Sequence, residues 1–284
     1  MVVKKTLLLL IFTLQSLCAI PLKEQFEKVG FVEICDENHG AETFDSLYAY
    51  FDAFIELLQT NPVWAHKLFT AKERFIRSKD RSYYSTYIFG FYDESKREGR
   101  SQISFYYSTH YHDYICSHYP EFNQVPEIIR FFEACREIQK PYGNLFERSA
   151  AELGLGAIFS SNYGHPPILF KIVKYLPAYI AASPHYDGTA FSLFLDSTDN
   201  QSLLLSPYKS SFKVDDFSSP SRAFPQRSSI LLIPGGLLEE FSIYPTPHIV
   251  LQSGKTRYAT IAFAMRPNHI PQKTEYSPLP DFRR

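Results

Sequence analysis

Hydrophobic and polar positions repeat with two different periods along the chain, and the change of period divides it into two parts. Across Ala41–Thr60 apolar residues recur every three or four positions, the spacing of an amphipathic helix. A similar pattern covers Ile128–Leu153, with an interruption near Pro141 and an end at Gly154. From residue 158 to 265 short β-like runs are separated by Pro, Gly, Ser and Asn. The pattern therefore predicts helices first and a β-structure second.

Shorter segments complete the prediction for the first part of the chain. Lys23–Val29 has the pattern of a short helix, and Phe31–Ile34 alternates like a strand. The preference of the residue before Pro62 for extended backbone predicts the end of the long helix. Two aromatic runs, Ser82–Tyr92 and Ser101–Thr109, are predicted to be strands on either side of a charged turn.

The predicted fold class is α+β and rich in strands. We expect an N-terminal helical and mixed region over residues 20–157 and a β core over residues 158–284. No flexible linker separates the two parts, so we expect one folded unit. A chain of 284 residues with 45% hydrophobic content can enclose a real core, and 20 Tyr and 25 Phe suit half-buried sheet surfaces.

The N-terminus has the order of a secretory signal. Lys5 precedes the largely apolar run Leu7–Leu17, small residues such as Cys18 follow, and charged residues come after them. We therefore expect residues 1–19 to be a signal peptide and the protein to be exported. The apolar run is short for a membrane span, and the alternatives are an uncleaved membrane anchor or a buried first helix. No stable membrane span is expected after the signal is removed.

Charge and cysteine content narrow the choice of partners. The 29 Lys and Arg nearly balance the 30 Asp and Glu, and no dense basic stripe is present, so nucleic-acid binding has little electrostatic support. Without the signal, three cysteines remain: Cys35, Cys116 and Cys135. An odd count is not a disulfide framework, so one bridge or none is open, and so is a reducing destination.

Candidate chemistry lies in the second part of the chain. On a strand, residues two apart point to the same side, so His185 and Asp187 can direct an imidazole and a carboxylate to one point. His248 begins another predicted strand and offers a third ligand. Two histidines and one carboxylate on one face leave metal positions open, as in non-haem Fe(II) oxygenases. A His-x-Asp pair alone is also typical of a turn with a surface histidine.

A buried arginine can complete such a site. Arg257 follows His248 by nine positions, at the start of a predicted strand. Its planar guanidinium binds a carboxylate through two parallel hydrogen bonds, which lysine does poorly. Order, strand context and residue types together point to an iron site with an anionic ligand beside it.

These residues resemble the 2-oxoglutarate/Fe(II)-dependent oxygenases, specifically their isopenicillin N synthase-like branch. The resemblance covers roughly Leu22–Pro267. The motifs that carry it are His185-x-Asp187, the strand and turn Arg227–Gly236, His248, Arg257, and the N-terminal Val29–Ile34 followed by Asn38-His39-Gly40.

The resemblance implies a double-stranded β-helix, or jelly-roll, with a helical N-terminal region packed against it. It implies Fe(II) bound by His185, Asp187 and His248, with 2-oxoglutarate chelated to the iron and its far carboxylate at Arg257. Tyr175 is expected to keep part of a co-substrate-binding role. The implied reaction uses O2 and 2-oxoglutarate, releases succinate and CO2, and oxidises a small-molecule or peptide substrate, by default through hydroxylation.

The sequence departs from the family pattern at two places. Ala259 stands where the family has a serine that hydrogen-bonds the co-substrate carboxylate. Lys174 and Leu176 alter the tyrosine-rich motif that precedes His-x-Asp, and Lys174 is expected to be a solvated side chain or a cation for an acidic group. These changes put 2-oxoglutarate in question but leave the iron ligands intact.

Three alternatives follow. The protein can be an exported jelly-roll that binds a ligand and has lost catalysis, or an Fe(II) oxidase of the same fold that does not use 2-oxoglutarate. A cupin-like metal enzyme would instead use His110 and His112, which can share a strand face. A polar loop around these two is the expected structure, and His39 and His165 are also expected in loops.

Overall fold

The structure is a computed structural model in which the described residues are 20–35, 40–79, 83–84, 86, 88–96, 101–159, 167–177, 180–199, 202–205, 227, 229–251 and 254–265. For residues 180–184 the description covers the backbone alone. The predicted signal peptide, His39 and His165 lie outside the described residues. No helix within the described ranges is long and apolar enough to cross a membrane.

Helices dominate the first half of the chain. They are α1 (Leu22–Val29), α2 (Ala41–Thr60), α3 (Pro62–Arg77), α4 (Thr109–His118), α5 (Pro126–Gln139), α6 (Tyr142–Glu152) and α7 (Gly156–Phe159), with short 3-10 helices at Pro120–Gln124 and Gly236–Phe241. The predicted long helix over Ile128–Leu153 is confirmed as α5 and α6, with the break beside Pro141. Gly154 follows α6 in the left-handed conformation, at a φ of 74°.

The sequence pattern missed α3, although its start has a clear cause. The predicted end of α2 at Thr60 is confirmed, but a new helix begins at once. The Asn61 side chain accepts hydrogen bonds from the backbone N–H groups of Val63 (3.2 Å) and Trp64 (3.4 Å). Pro62 occupies the first helical turn, where its missing N–H is not needed. The residues that end α2 therefore also start α3.

Two antiparallel sheets form the β-structure. Their strands are β1 (Val32–Cys35), β2 (Gly90–Asp93), β3 (Gln102–Tyr107), β4 (Ile168–Tyr175), β5 (Ile180–His185), β6 (Phe191–Ser197), β7 (Leu203–Leu205), β8 (Ser229–Pro234), β9 (His248–Leu251) and β10 (Arg257–Ala264). The large sheet has the order β1-β8-β6-β10-β4-β3-β2, and the small sheet has the order β5-β9-β7. Strands from the first 157 residues thus occupy both edges of the large sheet.

One predicted strand is confirmed only at its end, and one predicted loop is wrong. Within Ser82–Tyr92 the strand begins only at Gly90, and the buried Tyr83 and Tyr84 precede it outside any strand. The ring of Tyr84 packs edge-on against Phe89, so the aromatic residues of this run serve packing. The expected polar loop around His110 is the helix α4.

The large sheet has a packed cluster of side chains on each face. Apolar side chains between the two sheets form one cluster, in which Val173, Leu231 and Val250 represent β4, β8 and β9. On the opposite face α2 and α5 cover the sheet, and Phe54 of α2 packs edge-on against Phe105 of β3. The sheet is therefore buried on both faces and is a rigid support for residues that point between the sheets.

A buried polar network fastens α2 to the sheet. Asp196, at 0% exposure, accepts two hydrogen bonds from Arg227 and one from the Tyr48 hydroxyl (2.8 Å). Thr260 donates to the same hydroxyl. Burial raises the pKa of Asp196, and Arg227 opposes the rise. Because each partner is hydrogen-bonded, this network fixes the helix at one position on the sheet.

Candidate metal centre and pocket

His185, Asp187 and His248 come together as the sequence predicts. The Nε2 atom of His185 lies 3.8 Å from Oδ1 of Asp187, and Nε2 of His248 lies 3.7 Å from Oδ2 of Asp187. The two imidazole centroids are 4.3 Å apart. Ligands that share an ion at about 2.0–2.2 Å lie no more than about 4.4 Å apart, and both measured distances meet this condition. Among the described residues, no other group of three His, Cys, Asp or Glu side chains is placed to share a metal.

Strand pairing explains how distant parts of the chain meet at this point. β5 and β9 are antiparallel neighbours, and His185 is paired with His248 in their register. Asp187 differs from the expectation, because it lies two residues beyond the end of β5. Its side chain is therefore not held in place by strand alternation.

Other contacts hold Asp187. The Ser192 hydroxyl donates a hydrogen bond of 2.5 Å to Oδ2 of Asp187. The backbone N–H of Gly236 donates to the Asp187 carbonyl at 2.8 Å. A Cβ on Gly235 would lie 2.2 Å from the carbonyl oxygen of Thr189. Only glycine at position 235 therefore lets this turn pack so closely against the loop that carries Asp187. The turn and Ser192 together position the carboxylate.

The protonation states suit metal binding. Burial and the neighbouring His185 lower the pKa of His248 well below its ordinary value, so its imidazole is neutral at pH 7. Its Nδ1 lies 3.2 Å from the Thr246 carbonyl, which favours a proton there and a lone pair on Nε2. Burial acts to raise the pKa of Asp187, but the two histidines and Ser192 outweigh it, and the pKa is lowered. The centre thus has a neutral imidazole at His248 and an ionised carboxylate at Asp187.

Arg257 lies buried at the start of β10, opposite Tyr175 of β4, with 3% of its surface exposed. Its Nη2 donates to the carbonyl of Leu251 (3.1 Å), and its guanidinium carbon lies 3.9 Å from the ring centroid of Tyr175. Its Nε has no hydrogen-bond partner among the described residues. A buried guanidinium N–H without an acceptor is unfavourable, so this atom fits a carboxylate from a bound molecule.

The departures from the family motif fall on both faces of the sheet. Ala259 is buried between the sheets, in the alternation of Arg257 and Ile261, so no hydroxyl is available there. Lys174 lies on the other face, where it forms an ion pair with Asp52 at 2.7 Å. It is therefore neither a free solvated side chain nor part of the pocket. Leu176 follows β4 and packs with the helical side of the core.

A cavity of about 630 Å³ opens between the sheets in front of the centre. His185, Asp187 and His248 line it, and so does Tyr175. Its other walls are largely aromatic and apolar, contributed by Tyr92, Tyr106, Phe194, Ile261, Phe263 and Met265. The metal centre thus lines a pocket large enough for a small organic molecule.

Among the described residues, the rival cluster on α4 does not form a group of metal ligands. Nδ1 of His112 lies 2.9 Å from the Tyr107 hydroxyl, and Nδ1 of His110 lies 3.1 Å from the Tyr84 hydroxyl. The expectation that these two histidines share a strand face is wrong, because they are two residues apart on a helix. A second cavity of about 500 Å³ borders this helix but contains no such ligand group among the residues described.

The three cysteines are free thiols. Cys35 is exposed, Cys116 is half-buried and Cys135 is buried in α5. Of the two possibilities left by the odd count, the structure therefore has no bridge between them.

Sequence reasoning missed several residues of the site. Lys171 lines the cavity beside the metal ligands, and Ser192 holds Asp187. Alternation along β4 is the signal that identifies Lys171, because Tyr175 is a candidate from the sequence and residues four apart on a strand share a face. No comparable sequence signal points to Ser192, whose role depends on the loop that returns Asp187 to β6.

Comparisons with known proteins agree with this architecture. No protein-family model matches the sequence, and no curated protein sequence matches it. Among solved structures, a full-length Neurospora crassa protein in complex with alpha-KG superposes with a TM-score of 0.56 at 13% identity, over 87% of this chain and 77% of that one. JOX2 in complex with 2OG, Fe and JA gives 0.53 at 16% identity, over 86% of this chain and 70% of that one.

A 2OG-Fe(II) oxygenase family protein from Caulobacter crescentus gives a TM-score of 0.54 at 16% identity, over 86% of this chain and 80% of that one. The chain therefore has the fold of the 2-oxoglutarate/Fe(II) oxygenases. At these identities the likeness concerns the fold, and the activity is argued from the site.

Proposed function

We propose that this protein is a non-haem Fe(II) oxygenase that uses 2-oxoglutarate and O2 to oxidise a small organic substrate, with release of succinate and CO2. The single observation that carries the proposal is the convergence of His185, Asp187 and His248 in the wall of the pocket. Two imidazoles and one carboxylate are the ligand set of oxygen-activating iron enzymes and leave positions for other ligands.

The residues fit both groups that the reaction requires. Neutral His248 and ionised Asp187 can bind a divalent ion without losing a proton first. Arg257 has an unpaired buried Nε, within the described part of the chain, for the far carboxylate of 2-oxoglutarate, and Tyr175 holds the guanidinium flat. When bound, iron and 2-oxoglutarate together supply the oxidising chemistry. The apolar pocket walls position the substrate and exclude water.

We also infer that the two sheets form a double-stranded β-helix. The support is the small sheet β5-β9-β7 packed over β8, β6, β10 and β4, with the candidate ligands at one end of the space between them. The likeness to oxygenase structures supports the same fold.

Turnover of 2-oxoglutarate without added substrate tests the proposed function. Purified protein supplied with Fe(II), 2-oxoglutarate and air is expected to form succinate slowly, and Asp187→Ala and His248→Ala to form none. His66→Ala, which changes an exposed histidine on α3, is the matched control and should retain the wild-type rate. Equal succinate formation in all four proteins, or none in the wild type at full iron loading, would refute the proposal.

Ala259 supports one alternative function, that of an iron oxidase of the same fold that does not use 2-oxoglutarate. No hydroxyl is present at this position to support the co-substrate carboxylate. Oxygen consumption that depends on iron but not on 2-oxoglutarate would favour this alternative. The retained ligand set favours an enzyme over a protein that only binds a ligand.

Export is a separate proposal that the sequence alone supports. If residues 1–19 are a cleaved signal peptide, mass spectrometry of the protein from its native source will show a mature N-terminus near Ile20. A chain that still begins with Met1 would contradict cleavage and favour the uncleaved anchor.

A further inference from the structure

Lys171 places a cation inside the candidate active-site pocket. It lies on β4 in the same alternation as Val173 and Tyr175, so its side chain points between the sheets. It lines the cavity together with all three candidate iron ligands. Its Nζ lies 5.5 Å from the ring centroid of Tyr106, its register partner on β3. The lysine is thus held near the metal centre by an aromatic wall.

Within the described part of the chain, Lys171 forms no ion pair. Lys174 on the same strand does, with Asp52 on the outer face of the sheet. Asp187 lies near Lys171 but is engaged by Ser192 and the two histidines.

Glu94 also lines the cavity, but its carboxylate accepts a hydrogen bond from Gln102 at 2.5 Å. Gln102 is the register partner of Tyr175, four residues along β4 from Lys171. Four strand residues span about 13 Å, so Glu94 belongs to the other end of the pocket. It does not neutralise the lysine.

When Fe(II) and 2-oxoglutarate are both bound, the charges at the metal centre balance without Lys171. Two positive charges on iron and one on Arg257 compensate the two of 2-oxoglutarate and the one of Asp187. Burial lowers the pKa of Lys171, but nearby Tyr106, Tyr175 and Asp187 outweigh burial and raise it, so the amine is charged. A half-buried cation without a counter-charge is unfavourable, and the remaining component of the complex is the substrate.

We propose that Lys171 binds a carboxylate of the substrate, which is an organic acid with an apolar, ring-sized body. This inference rests on the proposed function and adds the substrate class to it. One uncompensated positive charge matches one carboxylate, and the aromatic walls of Tyr106, Phe194 and Phe263 suit the apolar body. Because Lys171 lies close to the iron ligands, the carbon that is oxidised lies close to the acid group.

A matched pair of probes tests this assignment without turnover. The full chain is loaded with Mn(II) and N-oxalylglycine, an unreactive analogue of 2-oxoglutarate, and titrated by calorimetry with 3-phenylpropionate and with its neutral amide. The wild type is expected to bind the acid about 10- to 100-fold more tightly than the amide, the range of a charge-assisted hydrogen bond. Lys171→Met should abolish the preference, and Lys171→Arg should keep part of it.

Lys174→Met is the control, since it removes a lysine from the same strand but on the other face, and it should keep the wild-type preference. The preference is the ratio of the affinities for the acid and the amide, both measured on the same variant. Partial misfolding of Lys171→Met lowers the amount of protein that binds either probe, so it does not mimic a loss of preference. Equal binding of acid and amide to the wild type, or binding of neither, overturns the inference.

Weakening of N-oxalylglycine itself by Lys171→Met, to the extent seen in Arg257→Met, would make Lys171 a co-substrate ligand and also overturn it. Failure of the wild type to form the complex of Mn(II) and N-oxalylglycine would refute the proposed function, and the inference with it. The two failures are therefore distinguishable.

Discussion

Arg257 and Tyr175 are register partners on neighbouring strands, and the guanidinium carbon of Arg257 lies 3.9 Å from the ring centroid of Tyr175. Burial lowers the pKa of Arg257, while the ring face attracts the cation. The stacking fixes the plane of the guanidinium and leaves its Nε without a partner among the described residues. The pair is therefore organised for a planar carboxylate before any ligand arrives.

Replacement of Arg257 by methionine is expected to weaken 2-oxoglutarate binding about 30- to 1000-fold, or about 2–4 kcal/mol, because a charge-assisted bidentate contact is lost. Arg257→Lys should recover little, since an ammonium group cannot form the same two parallel bonds. Calorimetry on the Mn(II)-loaded protein measures the effect. An Arg257→Met affinity within about threefold of wild type would argue that 2-oxoglutarate does not bind here.

Replacement of Gly235 by alanine is expected to damage the metal centre from a distance. The new Cβ would lie 2.2 Å from the Thr189 carbonyl, so the loop that carries Asp187 must shift. We expect a loss of about 1–3 kcal/mol in the free energy of unfolding and a clear fall in Fe(II) affinity. Gly254→Ala is the control, because nothing lies within 4 Å of its Cβ position. If both variants bind iron like the wild type, the turn does not position Asp187.

Some features of the structure could be predicted from local sequence patterns, and others depend on tertiary packing. The period of apolar residues predicted α2 to its ends, and residue types at His185, Asp187 and His248 predicted a shared site. The sequence did not reveal α3, because the same Asn-Pro pair that ends one helix caps the next. Aromatic residues near Tyr83 suggested a strand, but they pack around α4, a tertiary arrangement that local propensity does not encode.

The buried hydroxyl of Tyr48 joins α2 to the sheet, and its removal should lower stability. Tyr48→Phe leaves Thr260 without its acceptor and Asp196 without one of its donors. We expect the free energy of unfolding to fall by about 1–2 kcal/mol. Tyr50→Phe, on the exposed side of the same helix, should change it by less than about 0.5 kcal/mol. Urea denaturation measures both, and equal effects would remove the network from the account of stability.

The buried imidazole of His112 should make stability depend on pH. Burial lowers its pKa to about 4, whereas a histidine in the unfolded chain has a pKa of about 6.5. The stability from neutral His112 is thus fully present above pH 6.5 and is lost as the pH falls towards 4, because only the unfolded chain takes up the proton.

The loss expected from this difference is up to about 3 kcal/mol. His112→Asn keeps an acceptor for the Tyr107 hydroxyl and cannot titrate, so its stability should fall less steeply over the same interval. Urea denaturation of both proteins at several pH values between about 7.5 and 4.5 compares the slopes. Parallel profiles would show that His112 is not buried in its neutral form.

The most direct test of the account is an anaerobic titration of the protein with Fe(II) and then with 2-oxoglutarate, followed by visible absorption. We predict one Fe(II) per chain and, after 2-oxoglutarate is added, a charge-transfer band from the chelate. Asp187→Ala and His248→Ala should lose both, while His66→Ala should keep both. Stoichiometric iron and an unchanged band in the Asp187 and His248 variants would contradict the central claim that these side chains bind the metal.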